Sequence, residues 1–392
     1  MRSFSFSASP NIHFGNGKRD ALPALVGVWG RRVLLVTGAS SFDASEACKE
    51  IEASLRRECE VERLRVAGEP SPEVVDTAVE KYASFSPDVV VAIGGGSAMD
   101  AGKAIAGLIA SGRSVMDFLE GVGRGCLYEG PATPFIAVPT TAGTGGETSK
   151  NAVLSVVGTD GFKKSFRDER LVARHVILDP ELSVNCSPAV TASCGMDALT
   201  QLLESFVSRK ENPMTHALAR EGLCHVSWAL PRAVQCGSDL QARGAMLLAA
   251  TLSGLTLANA GLGAVHGLAS PLGAFFPIPH GTVCGTLLYE VTRMNLRALK
   301  LRCLQNPALE RYAEAARILC QRSLPALEDA HQALLERLRE WEDMFAMPRL
   351  ARFGVSEEDL PKIVANVSGN SMQGNPVKLT DEELIEVLRR RL

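Results

Sequence analysis

Asp88-Val-Val-Val-Ala-Ile-Gly94-Gly95-Gly96-Ser97-Ala-Met-Asp100-Ala-Gly-Lys103 decides how this chain folds. A short β-branched run with no polar alternation feeds a helical stretch through three consecutive glycines. A strand of that kind is buried on both faces and belongs in a parallel sheet covered by helices. Three residues without Cβ atoms let a phosphate approach backbone amides at the positive end of the following helix. Ser97 and Asp100 also have capping-box spacing, so a purely structural reading of the turn stands beside the phosphate one.

Working outward, short β-branched runs at 33–37, 61–66, 134–138 and 175–178 alternate with helical stretches at 43–58, 72–83 and 97–111. Strand, helix, strand at this spacing predicts βαβ units and a parallel sheet. Residues 150–157 read as an extra strand with a hairpin partner. After Asp179-Pro-Glu-Leu182 the strand signal stops. From Thr191 apolar positions recur at helical spacing, with Pro213, Pro231, Gly254, Pro325, Pro348 and Pro361 as punctuation. The expected architecture is an α/β, Rossmann-like dinucleotide-binding domain over 1–185. An all-α domain follows over 186–392. The boundary falls near 184–188, with the ligand in the crevice between the halves.

A second turn, Val138-Pro-Thr140-Thr141-Ala-Gly143-Thr144-Gly145-Gly146, offers hydroxyls and amides straight after another strand. Two such turns at the ends of parallel strands reach the same side of the sheet. The first strand ends Val36-Thr37-Gly38-Ala39-Ser40. This has a superficial likeness to the short-chain dehydrogenases, but the Gly-x-Gly spacing is absent. None of Tyr82, Tyr128, Tyr289 and Tyr312 is followed four residues later by Lys. Ala39 and Ser40 offer a ribose no carboxylate, which leaves both NAD and NADP open.

A net charge of -3 gives no basic field for a polyanion, and nucleic acid is not an expected partner. The ten cysteines are dispersed without a Cys-x-x-Cys, which suits reduced thiols in a cytoplasmic protein. The opening residues 1–10 lack the apolar core of a secretory signal. Residues 244–265 are uncharged over a length that could span a bilayer. Thr251, Ser253, Thr256 and Asn259 within them favour a buried helix, so no membrane is expected.

Two of the seven histidines, His266 and His280, lie in a charge-free stretch, 259–281. An imidazole buried without a partner is costly, so two of them in apolar surroundings ask for a common cause. Asp197 lies in an otherwise apolar helical segment, where capping the start of a helix is the simple alternative. One carboxylate and two imidazoles make a set suited to a catalytic divalent ion with an open position. Gln201, one turn beyond Asp197, is a poor ligand beside imidazole and is assigned a supporting or substrate contact. His13, His175, His216, His225 and His331 lack comparable partners.

In these ordered segments the chain resembles the iron-containing (group III) alcohol dehydrogenase superfamily. The resemblance covers Ile12-His-Phe-Gly15, the turn at 94–103, the Pro-Thr-Thr-Ala-Gly-Thr-Gly of 139–145 and Asp-Pro-Glu-Leu at 179–182. It continues through Gly-Met-Asp-Ala-Leu at 195–199, His266, Pro-x-Pro-His-Gly at 277–281 and Gly-Asn-Pro at 374–376. It implies a dehydroquinate synthase-like two-domain architecture with a metal in the cleft. By position it implies Gly95, Gly96 and Ser97 as the pyrophosphate cradle, with Gly38, Gly94 and Asp100 beside it. Thr140, Thr141, Thr144, Val153, Lys163 and Leu182 complete the cofactor pocket, and Asp197, His266 and His280 hold Fe2+ or Zn2+. Two positions depart from the family pattern: Gln201 stands where relatives have a fourth ligand histidine, and Ser270 replaces a further histidine. Similar glycerol dehydrogenases manage with three ligands and often use zinc.

The resemblance implies a metal-dependent, NAD(P)-linked interconversion of a small alcohol and an aldehyde or ketone by hydride transfer. The proton would leave through water, past Ser270 or a ribose hydroxyl. A homodimer stays open. Two rivals are an NAD-using cyclase of the dehydroquinate synthase type and a nucleotide-binding protein that has lost catalysis.

Overall fold

The computed structural model describes residues 3–7, 9–367 and 369–392. Met1, Arg2 and Ala8, part of the stretch read for a secretory signal, lie outside the described residues. The strands are β1 (Asn11–Phe14), β2 (Arg32–Gly38), β3 (Glu60–Val66), β4 (Val89–Gly94), β5 (Phe135–Pro139), β6 (Asn151–Val156), β7 (Phe162–Arg167) and β8 (His175–Leu178). Six of them form one sheet in the order β1-β8-β5-β4-β2-β3, and every neighbouring pair is parallel. β6 and β7 pair antiparallel as a separate hairpin, so the expected extra strand has its partner.

Both faces of the sheet are covered, which is why its inner strands read as unbroken apolar runs. On β2, Val33 and Leu35 pack on one face, with α1 (Leu22–Gly27) and α2 (Glu46–Glu58). Leu34 and Val36 pack on the other, with α3 (Pro72–Tyr82) and α4 (Gly96–Leu108). From β2 the chain crosses to β3 on one side and then to β4 on the other. That reversal opens a crevice between the carboxyl ends of β2 and β4, where open α/β sheets take their ligands. Gly38 and Gly94 end those two strands.

Beyond β8 and one short turn the chain is helical: α5 (Pro188–Phe206), α6 (Pro213–Gln235), α7 (Leu240–Ala260), α8 (Ala264–Phe275), α9 (His280–Arg302), α10 (Ala308–Cys320), α11 (Leu327–Met344) and short helices to the C-terminus. Proline marks helix starts here: Ser187-Pro188 and Asn212-Pro213 put a side-chain cap and a proline in the first turn. Two expected breaks lie instead inside helices, Pro231 in α6 and Gly254 in α7. The uncharged stretch ends α7 at Gly261, whose φ of 68° suits glycine, and resumes as α8. No single helix among the described residues is long and apolar enough to cross a membrane, and α7 and α8 meet at a 100° bend. All ten cysteines are free.

Candidate active site

The two glycine-rich turns touch each other at the end of the sheet. The Thr140 amide donates to the Gly94 carbonyl over 2.9 Å. A Cβ on Gly95 would meet the Thr141 hydroxyl at 3.2 Å, and one on Gly96 would meet that of Thr144 at 3.5 Å. Gly94 itself has φ +159°, and a Cβ there would stand 2.8 Å from Ala98 and 3.4 Å from the Gly38 amide. The capping box anticipated for Ser97 and Asp100 does not form. Helix α4 starts at Gly96, so Ser97 lies inside it, and the N-cap Gly95 has no side chain to cap its amides. Those amides point at the crevice, the arrangement that receives an anion.

Lys103 holds the second turn in place, and Asp100 ties α4 to β6 beside it. The Asp100 carboxyl accepts from the Val153 amide, and desolvation pushes its pKa up to about 6 against the pull of Lys103. Lys103 is fully buried, and its Nζ donates to the Gly146 carbonyl (2.6 Å), Ser149 Oγ (3.2 Å) and the Asn151 carbonyl (2.6 Å). The motif lysine therefore ties the turn and β6 to α4. Lys163 pairs with Glu69 at 2.6 Å, and Leu182 is 3% exposed within the apolar cluster beneath the sheet.

Asp197 sits nine residues after the Pro188 that starts α5, in the third turn and not at the helix opening. Capping, the simple explanation of a carboxylate there, is excluded by that position; Ser187 is the cap. Asp197 is 1% exposed, and its Oδ1 has no hydrogen-bond partner among the described residues. It faces His266 Nε2 at 3.3 Å and His280 Nε2 at 3.8 Å. Burial would raise the Asp197 pKa, but the His280 and His266 imidazoles reverse this and hold it below the ordinary carboxylate value.

Two helix starts bring the histidines to Asp197. His280 opens α9, where a Cβ on Gly281 would overlap the Ser193 carbonyl of α5; only glycine lets the two helices come so close. Desolvation lowers the His280 pKa to about 4, so the ring is neutral near pH 7, with Nδ1 buried and without a partner among the described residues. His266 lies in the first turn of α8, whose amides are capped from elsewhere. Glu204 Oε1 accepts from the Val265 amide (2.7 Å) and Asn375 Oδ1 from the Ala264 amide (3.1 Å). The Gly-Asn-Pro segment at 374–376 thus acts by holding α8.

Glu204 and Cys284 complete the site, and sequence reasoning gave neither a role. Glu204 lies seven residues after Asp197 on the same helix, and its Oε2 meets His266 Nδ1 at 2.7 Å. That contact anchors the ring through Nδ1 and leaves Nε2 facing Asp197; burial would lower the His266 pKa, but Cys284, Glu204 and Asp197 together hold it well above the ordinary imidazole value. Cys284, one turn after His280, is fully buried with Sγ 3.6 Å from His266 Nε2 and 3.8 Å from His280 Nε2. Asp197, His266, His280 and Cys284 each offer a donor atom, all within 4.8 Å of one another. Gln201 is buried between Asp197 and Glu204, and its Oε1 accepts from Ser253 Oγ at 3.0 Å. Ser270 Oγ donates to the Lys163 carbonyl at 3.3 Å, linking α8 to β7.

The sequence pattern described as "Iron-containing alcohol dehydrogenase" matches residues 9–180, and "Fe-containing alcohol dehydrogenase family, C-terminal" matches 191–392. The chain is 31% identical to the NAD-dependent methanol dehydrogenase of Bacillus methanolicus, over 99% of this chain and 100% of the relative. A solved 1,3-propanediol oxidoreductase superposes with TM-score 0.89 at 29% identity, covering 100% of both chains. The sulfoacetaldehyde reductase of Bifidobacterium kashiwanohense, solved with NAD+, superposes with TM-score 0.85 at 26% identity, over 100% of this chain and 99% of that one.

Proposed function

Because the chain belongs to the iron-containing alcohol dehydrogenase family, as a metal-dependent, NAD-linked alcohol oxidoreductase, we propose which of its residues carry that chemistry. Asp197, His266 and His280 hold the divalent ion, and the turns at 94–97 and 140–144 hold the dinucleotide. The observation that carries the metal assignment is Asp197 Oδ1, buried, unpartnered and facing two imidazole nitrogens. A lone buried carboxylate oxygen is costly, and a cation removes the cost. When bound, the ion supplies Lewis acidity towards an alcohol or aldehyde oxygen, and the nicotinamide supplies a hydride acceptor or donor.

The protein's own part is orientation. Glu204 fixes the tautomer of His266, and neutral His280 keeps a lone pair available. The α4 amides and the hydroxyls of Thr141 and Thr144 take the phosphates, while Lys103 keeps the two turns in register. Proton exit falls to water on the His280 side, since that side chain is 24% exposed against 7% for His266. Ser270 has no ring nitrogen to relay a proton, and its hydroxyl is engaged by Lys163.

The same reading divides the chain into a dinucleotide domain over 1–185 and a metal-holding domain over 186–392. Use of NADP in addition to NAD is supported by the lack of a carboxylate at 39–41. The next one, Asp43, is taken by Arg63 and Arg65. The substrate class is a small alcohol or the matching aldehyde. The test is a panel of such alcohols and aldehydes, with NAD(H) and NADP(H), before and after chelation. Turnover that chelation abolishes and added metal restores supports the reading. Net turnover insensitive to complete metal removal overturns it, and cofactor binding without net turnover on any substrate favours the cyclase.

A further inference from the structure

We propose that Cys284 is a fourth protein ligand of the ion held by Asp197, His266 and His280, giving a carboxylate, two-imidazole, thiolate site. The inference rests on the metal reading above and extends it. Four donors sharing one ion at ordinary nitrogen, oxygen and sulfur bond lengths stand about 3.3–3.8 Å apart. Of the six pairs, four stand at those distances: 3.3 Å from Asp197 to His266, 3.8 Å from Asp197 to His280, 3.6 Å from Cys284 to His266 and 3.8 Å from Cys284 to His280; all six lie within 4.8 Å.

Three further observations point the same way. The polar groups that Sγ reaches among the described residues all belong to this cluster. The unpartnered Asp197 Oδ1 is aimed into it from a 1% exposed side chain. Gln201, the natural source of another donor on α5, has its amide oxygen engaged by Ser253. The donor that α5 does not supply comes from α9, one helical turn below His280.

As the sulfur–metal bond forms, the thiol proton leaves to bulk water, so the site gains a second negative ligand. The added thiolate would neutralise the remaining charge of a divalent ion and lower its Lewis acidity relative to the Asp-His-His set, and a substrate oxygen would enter as a fifth neighbour. It also favours zinc or cobalt over a hard, oxygen-preferring ion such as magnesium or manganese.

The test replaces the bound ion with cobalt(II) in the full-length wild type and in Cys284→Ser and Cys284→Ala. It reads metal stoichiometry, affinity and the near-ultraviolet sulfur-to-cobalt charge-transfer band, with circular dichroism checking the fold. The expected result is one cobalt per chain with the band in the wild type. Both variants should lose the band and bind cobalt at least about tenfold more weakly. One bound cobalt without the band, or a band that survives in Cys284→Ala, overturns the proposal and leaves the three-residue site standing. No cobalt on the wild type overturns both. Should neither variant fold, zinc-edge X-ray absorption of the wild type decides: one sulfur neighbour supports the proposal and none overturns it.

Discussion

Glu204 makes no contact with substrate in this account, yet the site depends on it. Its carboxylate accepts from His266 Nδ1 and from the Val265 amide, so it sets both the tautomer of the ring and the start of its helix. Glu204→Gln keeps the shape but can place an amide N–H against Nδ1, which favours the wrong tautomer. We expect metal affinity to fall about 10–100-fold with the fold retained, measured by metal titration and circular dichroism. Asp197, His266 and His280 were legible because polar groups in apolar sequence demand a reason. Glu204 was not, although its seven-residue spacing from Asp197 on an apolar helix was the available signal. Cys284 was hidden because a buried cysteine behaves as a small hydrophobe, and sequence alone does not tell a packed sulfur from a ligand.

At the scale of elements, close backbone approach positions everything else. A Cβ on Gly254 of α7 would overlap the Gly145 carbonyl and meet Thr148, so the second glycine-rich turn lies directly on the helical domain. Gly254→Ala should destabilise the protein by about 1–3 kcal/mol and weaken NADH binding, read by denaturant unfolding and fluorescence titration. Gly261→Ala is the contrast: its Cβ meets nothing, but φ 68° with ψ -171° is a conformation open essentially to glycine and costs about 1–3 kcal/mol, while NADH affinity should stay near wild type. The inner strands were legible from their apolar runs, and Pro213 from its place between two helical stretches, whereas the Ser187 cap that starts α5 carried no signal that was read. β1 was not, because its four residues are mostly exposed and gain strand structure only by pairing with β8. Gly254 looked like a helix break for a related reason. Its lack of side chain serves a contact 109 residues away in sequence, with Gly145, which no local pattern records.

For the whole molecule, the two-domain plan was readable because each half has one period, strand–helix alternation first and helical spacing after. The way the halves meet was not, since it depends on turns and helix ends packing across long sequence separations. One consequence concerns stability. Donor groups from α5, α8 and α9 converge on one point, so a bound ion crosslinks three helices and stabilises the native state by mass action, about 2.7 kcal/mol at free metal a hundredfold above its Kd. Chelation should therefore lower the thermal midpoint, and zinc or iron(II) should restore it. The most direct test of the central claim is the metal content of purified His280→Ala, measured together with its aldehyde-dependent oxidation of NADH. The expected result is a folded protein with little bound metal and activity reduced at least a hundredfold. Full metal content with wild-type activity would contradict it.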